Sequence, residues 1–393
     1  MSVTPFRYGG VVSRKDFCGR HALLKELQGF FEAGQNTVLF GERRIGKTST
    51  VFEAARRAKR RVLFIDILGV RSLDDLFQQI LRAIFTLERT GSFFEKLRHS
   101  LVALHPTFSP DPVSGAMTFS ISPGRPLSPE SIPEVLEAVA QVARHKSTVV
   151  FFDEFQDVLK IEGNPQVAVA QLRSRIQFHE DIPYVFAGSI RQDMETIFTS
   201  PDWPFFKSAT PIHLNQLPFE DFAPFLQGRF EQEGRHVPSE LMMSAFGLCQ
   251  NIPGDIQQLC ETLWNSSDAG ETLTEDHLKQ ALNLIYAREQ KAYELALAFL
   301  KNTNLKVLRA LAHLGGETPT SKEFMEAVGV RHTNSITQAF SRLVTLRLVH
   351  RVGHAYQFDN PFFRAWLLKR EDIKSEFLTA HSACFIHNTY TPG

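Results

Sequence analysis

Cysteine is scarce in this chain. Its four cysteines, Cys18, Cys249, Cys260 and Cys384, are scattered over 393 residues without a CxxC pair, which argues against a thiolate zinc site and against a disulfide framework. A reducing cytoplasm is the compartment this usage implies. Net charge is lacking as well: 43 Lys and Arg balance 43 Asp and Glu. No whole-molecule field draws the chain to nucleic acid or to a membrane, so any such binding must be local. No run of about eighteen apolar residues is present to cross a bilayer. The polar opening MSVTPFRYGG reads neither as a signal peptide nor as a lipidation site. What is there is 43% hydrophobic residues in a chain long enough to bury a large core and to split into two or three domains. A soluble globular protein is expected.

Short β-rich apolar runs at 36–40, 61–67, 148–153 and 183–187 alternate with helical periodicity. That alternation predicts an α/β fold, a parallel sheet covered by helices on both faces. Ligands in such sheets bind beyond the carboxyl ends of the strands, so the ends of these runs are where chemistry is expected. Between the second and third runs, residues 105–129 are crowded with Pro, Ser and Gly and carry no catalytic pattern. They read as an exposed insertion and a partner surface, with 116–121 as one arm of a small hairpin.

The first run leads into GERRIGKTST, residues 41–50. The spacing Gly41-x-x-x-x-Gly46-Lys47-Thr48 is a phosphate loop: glycines let backbone N–H groups approach phosphate oxygens that side chains would block. Lys47 would reach the β/γ-phosphates and Thr48 would hold Mg²⁺ through its hydroxyl. Glu42, Arg43, Arg44, Ile45 and Ser49 complete the segment that surrounds the phosphates of ATP or ADP. Residues 48–60 read as the helix whose positive N-terminus faces them.

The third run ends VVFFDEFQDV, residues 149–158. Asp153 at the strand tip would hold Mg²⁺ through water, and Glu154 would polarise the attacking water. Two positions of Arg43 and Arg44 are open: arching over the β/γ-phosphates, or folding outward to pair with carboxylates elsewhere. The outward position is favoured. A second permanent cation beside Lys47 and Mg²⁺ would retain ADP, whereas an outward guanidinium can couple nucleotide state to domain position.

Four stretches carry a family resemblance. These are Phe17-Cys-Gly-Arg20 followed by His21-Ala-Leu-Leu-Lys-Glu-Leu27, then LFGERRIGKTS, then FFDEFQ, then the segment from Asn251 through Pro253 to Gln257 and Trp264. Together they resemble the archaeal-type ATPases within the STAND/AAA+ P-loop NTPases, over residues 14–370. The resemblance implies an ATPase core, a helical lid and a C-terminal winged helix-turn-helix. It also implies roles by motif position. Ser189, in Ala187-Gly188-Ser189, would sense the γ-phosphate; Gly19 and Arg20 would border the nucleotide from the N-terminal side; Pro253 would pack on the adenine. Lys207 stands where relatives often carry an arginine near the phosphates, or is simply solvated. Ile252 departs from the His or Gly that the family places before that proline. No arginine finger is singled out among Arg173, Arg175 and Arg191, any of which would act across a subunit interface in a self-associated form. Hydrolysis is expected to be slow.

Beyond residue 216 the pattern turns helical over 219–233, 239–249, 255–266 and 274–303, with Thr274 as a capping residue. Between Leu305 and Arg370 ten basic residues face four acidic ones, a local charge of +6. Helices over 304–314, 320–328 and 333–345 are followed by two strands about Gly353-His354, the order of a winged helix. Thr333, Asn334, Ser335 and Thr337 would present small polar groups to base edges of double-stranded DNA, with Arg342, Arg347 and Arg351 on phosphates. Ile336, Phe340, Leu343, Leu346 and Leu348 are expected in the core. An autoinhibitory or protein-binding winged helix, as in STAND-type signalling or scaffold ATPases of stress response or defence, stands as the alternative. The domains expected are 1–215, 216–303 and 304–372, with a tail at 373–393.

Overall fold

The computed structural model describes residues 4–87, 106–110, 117–121, 127–189, 191–232 and 234–370, with 106–110, 117–121 and 191 described by backbone alone. The expected tail with Cys384, the opening residues 1–3 and residues 105, 111–116 and 122–126 of the insertion lie outside the described residues. The chain divides into two compact units, Arg7–Phe222 and Met1–Phe6 with Ala223–Gly393.

In chain order the first unit contains α1 (His21–Glu32), β1 (Thr37–Phe40), α2 (Lys47–Arg57), β2 (Arg61–Asp66), α3 (Leu73–Leu87), β3 (Pro106–Pro110), β4 (Met117–Ile121), α4 (Ile132–Lys146), β5 (Thr148–Asp153), α5 (Pro165–Ile176), β6 (Tyr184–Gly188), α6 (Arg191–Thr199) and β7 (Thr210–His213). Five strands form one parallel sheet in the order β2-β5-β6-β1-β7. The side chains of each strand alternate between two apolar layers. Val38, Phe40, Leu63, Ile65, Val150, Phe152, Tyr184 and Phe186 join one core with the apolar faces of α3, α4, α5 and α6. On the other face Phe64 meets Phe52 of α2 at a ring separation of 5.8 Å and Phe151 at 5.4 Å. A strand buried on both sides must be apolar at every position, which is why these runs read as continuous in the sequence.

The fifth strand is not legible that way. β7 has the sequence TPIH, and only Ile212 is buried. Pro211 lacks the N–H of a central strand, and the position it occupies is the sheet edge, where β7 pairs with β1 alone. Within the insertion, β3 and β4 pair antiparallel, so 117–121 is one arm of a hairpin as expected.

The second unit is helical, with α7 (Phe219–Gln232) leading into α8 (Ser239–Leu248), α9 (Pro253–Asn265) and α10 (Glu275–Ala298). Thr274 caps α10 with His277, whose Nδ1 accepts from the Thr274 N–H at 3.1 Å. The two helices expected over 274–303 and 304–314 are present with their break shifted: α10 ends at Ala298 and α11 (Asn302–Leu314) begins four residues on, so the expected boundary at 304 falls inside a helix. No Gly or Pro marks the break, and extended backbone at Lys301 makes it. α12 (Lys322–Val328) and α13 (Thr333–Thr345) follow, then β8 (Val349–Val352) and β9 (Ala355–Phe358) joined by the two-residue turn Gly353-His354, then α14 (Pro361–Lys369). Ile336, Phe340 and Leu343 of α13 are buried, whereas Leu346 and Leu348 are only half-buried because they follow the helix rather than lying on its inner face.

α2 contains a buried ionic knot. Glu53, 1% exposed, accepts from Arg56 Nη2 at 2.7 Å, from Arg57 Nε at 2.9 Å and from the Arg14 N–H at 3.1 Å. Hydrogen bonding by Arg56 leads the causes that hold its carboxyl down at about 2, from an ordinary 4.5. A carboxyl depressed on folding stabilises the fold above its unfolded value and loses that contribution as pH falls through its folded one. Glu53→Gln is therefore expected to lower stability at pH 7 by about 1–2 kcal/mol, a figure reduced for the part-solvated arginines. Thermal melts at neutral pH and near pH 2 should show the difference from wild type shrinking in acid; an equal difference at both would assign the effect to packing.

Candidate functional site

The strand registers place the site. Phe40 of β1 is level with Gly188 of β6, and Phe152 of β5 with Phe186, so Gly41, Ser189 and the Asp153-Glu154 pair leave the sheet side by side. These are the carboxyl ends where an open α/β sheet forms its binding crevice.

The loop from Gly41 to Gly46 is packed tightly. A Cβ on Gly41 would stand 3.1 Å from Leu214 Cβ and 3.2 Å from the Leu214 carbonyl oxygen, against the exit of β7. Gly46 has φ +98°, a backbone that side chains resist, and it sits just before the first turn of α2. Ile45 is buried and anchors the loop, while Arg43 and Arg44 are exposed, Arg44 at φ +60°. Both arginine side chains face solvent, and Arg43 is close enough for its charge to act on Lys47. Arg20, at φ +59° before α1, donates from Nη2 to the Ile45 carbonyl at 2.9 Å; burial lowers its pKa to about 10. Arg20 therefore braces the loop from the N-terminal side, while Gly19, at φ +69°, adjoins Leu217. Ser49 is buried, and its Oγ accepts the Val12 N–H at 3.1 Å.

Lys47 is 6% exposed and folds over the loop, Nζ donating to the carbonyls of Gly41 at 2.8 Å and Glu42 at 2.9 Å. Burial lowers its pKa; the carboxylates of Glu154, Asp153 and Glu42 oppose that, and Arg43 reinforces it. Thr48 Oγ1 donates to Asp153 Oδ2 at 2.7 Å, joining residues 105 positions apart. Asp153 Oδ1 accepts the Glu154 N–H at 3.0 Å. Burial pushes the Asp153 carboxyl up, an effect that its bond from Thr48 and the Lys47 charge oppose.

Glu154 stands at the strand exit with φ +52°, and a 3-10 turn over Phe155–Lys160 follows. Phe155 explains the reversal: it dives back into the core, with ring centroids 4.7 Å from Phe186, 5.6 Å from Phe205 and 5.8 Å from Phe198. Glu154 Oε2 accepts from Ser189 Oγ at 2.7 Å and from Gln156 Nε2 at 2.5 Å. Gln156, whose only sequence signal is its place in FFDEFQ, is fully buried here.

This set suits a nucleoside triphosphate with a divalent cation. Gly46 and the first turn of α2 offer backbone N–H groups, and Lys47 a buried ammonium. One carboxylate and one hydroxyl converge at Asp153 and Thr48, hard oxygen donors of the kind Mg²⁺ takes when it keeps several waters. Among the described residues no group of three or more His, Cys, Asp or Glu forms a separate metal site.

The other expected residues fall elsewhere. Pro253 is buried at the first turn of α9, in the second unit, with Ile252 as the residue before the helix. Lys207 is exposed, its Nζ 5.2 Å from the centre of the Phe206 ring. Arg175 is exposed on α5, Arg173 pairs with Gln177, and the Arg191 side chain lies outside the described residues. Thr333, Asn334, Thr337, Arg342, Arg347 and Arg351 are exposed, with Ser335 half-buried. Thr337 Oγ1 donates to the Thr333 carbonyl at 3.2 Å and Arg351 Nε to that of Gly353 at 2.8 Å.

Residues 16–179 match the family described as "AAA ATPase domain", and residues 291–369 that described as "Probable winged helix domain". No curated protein matches the chain. A Walker-type ATPase of Pyrococcus abyssi shares the fold with a TM-score of 0.63 at 18% identity, over 91% of this chain and 98% of that one. The ORC1 protein of Aeropyrum pernix in complex with DNA gives a TM-score of 0.48 at 13% identity, over 92% and 94% of the two chains. The RuvB Holliday junction branch migration motor of Thermotoga maritima gives 0.45 at 11% identity, over 88% and 94%. The matched ranges include the phosphate loop, the Asp153-Glu154 strand end and the helix-and-hairpin of α13, β8 and β9. The chain thus carries a match to an AAA ATPase domain over 16–179 and, C-terminal to it, a match to a winged helix domain over 291–369.

Proposed function

We propose that this protein is a slow, Mg²⁺-dependent ATPase whose nucleotide state sets the posture of its winged helix, and that the winged helix grips double-stranded DNA. The hydrogen bond from Thr48 to Asp153 carries the catalytic half of this reading, because it brings the two expected cation donors to 2.7 Å with Glu154 beside them. Lys47 would turn from the loop carbonyls to the β/γ-phosphates. Mg²⁺, when bound, supplies charge neutralisation on the phosphate oxygens. Glu154 would accept a proton from the attacking water. Ser189 both holds that carboxylate and sits where the resemblance puts a γ-phosphate sensor.

The DNA half rests on the +6 charge between Leu305 and Arg370 and on the solvent-facing polar side of α13. The outward arginines of the phosphate loop support a coupling role, with Arg43 or Arg44 reporting nucleotide state to another part of the protein. One observation favours the protein-binding alternative. Leu295 and Phe299, four residues apart at the approach to the winged helix, are 58% and 67% exposed and apolar.

Calorimetry with Mg·ATP tests the first half. Lys47→Ala is expected to weaken binding roughly tenfold or more, the scale of a lost charge-assisted bond, while Arg43→Ala and Arg44→Ala bind within about threefold of wild type. No heat from the wild-type protein would refute nucleotide binding; an arginine variant as weak as Lys47→Ala would refute the coupling role.

An electrophoretic shift with duplex DNA at two salt concentrations tests the second half. Affinity is expected to fall steeply as salt rises, and the combined Arg342→Ala and Arg347→Ala change should flatten that slope by about two released counterions. Absence of any shift at low salt, with ATP binding intact, would favour the protein-binding alternative.

A further inference from the structure

We infer that Gln156 is a positioning residue for hydrolysis, holding Glu154 in the orientation in which one carboxylate oxygen alone is left to act as base. This rests on the ATPase reading of the same site. Gln156 is 0% exposed, and its Nε2 donates to Glu154 Oε2 at 2.5 Å. Ser189 Oγ donates to that same oxygen at 2.7 Å. A carboxylate oxygen offers about two acceptor directions, so the two donors occupy Oε2 and leave Oε1 for a proton. In the hydrolytic step water oxygen bonds to the γ-phosphorus as the bond to the ADP oxygen breaks. The water proton goes to Oε1 and returns to the phosphate product.

The surroundings allow Gln156 only this role. Its amide cannot be reversed, because Oε1 would then face a carboxylate and both partners would be acceptors. As placed, Gln156 Oε1 has no hydrogen-bond partner among the described residues, and a buried unmatched carbonyl is unfavourable for the fold. The glycine at 188 is part of the arrangement: a Cβ there would lie 2.3 Å from Gln156 Oε1 and 2.6 Å from Met194. The next residue, Asp157, fixes the turn that presents Gln156. It is fully buried, accepts the Gly69 N–H at 2.7 Å and pairs with Lys160 at 2.5 Å. The turn after β5 is thereby tied to the loop after β2. Gln156 reaches Glu154 from two residues on because the left-handed backbone at Glu154 folds the chain back on itself.

The test measures kcat, KM and nucleotide affinity for Gln156→Met, which keeps length and removes the donor, and for Gln156→Glu, which replaces donor by acceptor. Both are expected to lose roughly tenfold in kcat, part of what a general base contributes, with ATP affinity within about twofold; Gln156→Met is expected to keep the melting temperature, whereas Gln156→Glu, which buries a second carboxylate against Glu154, is expected to lower it. A second readout separates positioning from scaffolding. In a Glu154→Gln background, Gln156→Met should change residual turnover by less than about twofold, because its effect passes through the Glu154 carboxylate. Wild-type kcat in Gln156→Met, or the same tenfold loss with and without Glu154, would overturn the inference. If Gln156→Met fails to fold, Gln156→Asn, which keeps the amide but shortens its reach to Glu154, carries the same comparison. Wild-type protein without ATP turnover would refute the ATPase reading itself, an outcome distinct from an active wild type with equally active Gln156 variants.

Discussion

The 2.7 Å hydrogen bond between the Thr48 hydroxyl and the Asp153 carboxylate closes a distance of 105 residues, and the proposed cation site of the first unit depends on it. Thr48 lies in the first turn of α2, placed by the packing of the phosphate loop. Asp153 is the last residue of β5, placed by parallel pairing with β2 and β6. Neither donor is of use without the other. A parallel sheet sets all strand ends on one side, so residues from three separate βα connections converge without any long loop.

Placing the strand ends is only half of the construction. Each must also be turned toward the crevice, and buried apolar residues do the turning. Ile45 pins the phosphate loop from beneath, and Phe155 draws the chain inward immediately after Glu154. The aromatic cluster of Phe152, Phe155, Phe186, Phe198 and Phe205 thus determines where a carboxylate points. Close packing means that no neighbour in such a cluster can shift alone. The left-handed backbone at Glu154 is held by that packing, and it is what lets Gln156 and Ser189 meet on one oxygen.

The second unit is organised around a different polar centre. Glu289 on α10 accepts from Gln258 of α9 at 3.1 Å, from Tyr293 at 2.6 Å and from Asn360 at 3.2 Å. Asn360 in turn caps α14 through the N–H groups of Phe362 and Phe363. Tyr293 also packs on Phe363 and Trp366, at 5.0 and 5.3 Å. These contacts tie helices expected in a lid to the helix that closes the winged helix, so that they form one compact unit. A half-buried network of this kind, with its partners matched, makes rigid-body behaviour of α9, α10 and α14 the natural expectation. The winged-helix hairpin is seated by Tyr356, stacked 3.9 Å from Phe340 of α13.

Much of this architecture was legible before folding. Four of the five sheet strands, the phosphate loop, the acidic strand end and the order of the winged helix follow from apolar runs and from spacings that backbone chemistry demands. Such signals are local: a doubly buried strand must be apolar throughout, and a loop that approaches phosphates must carry glycine. The edge strand β7 escaped because one exposed face and a proline remove that signature, and the expected break between α10 and α11 lies a few residues too late because no breaker residue marks it. Residue identity alone thus determined which groups are present and which segments can be buried. Only the tertiary structure decided that Gln156 and Ser189 share one oxygen of Glu154, that the phosphate-loop arginines face solvent and that Glu289 unites three helices. Those outcomes depend on directions and distances between residues far apart in the chain, quantities that exist only once the core has packed.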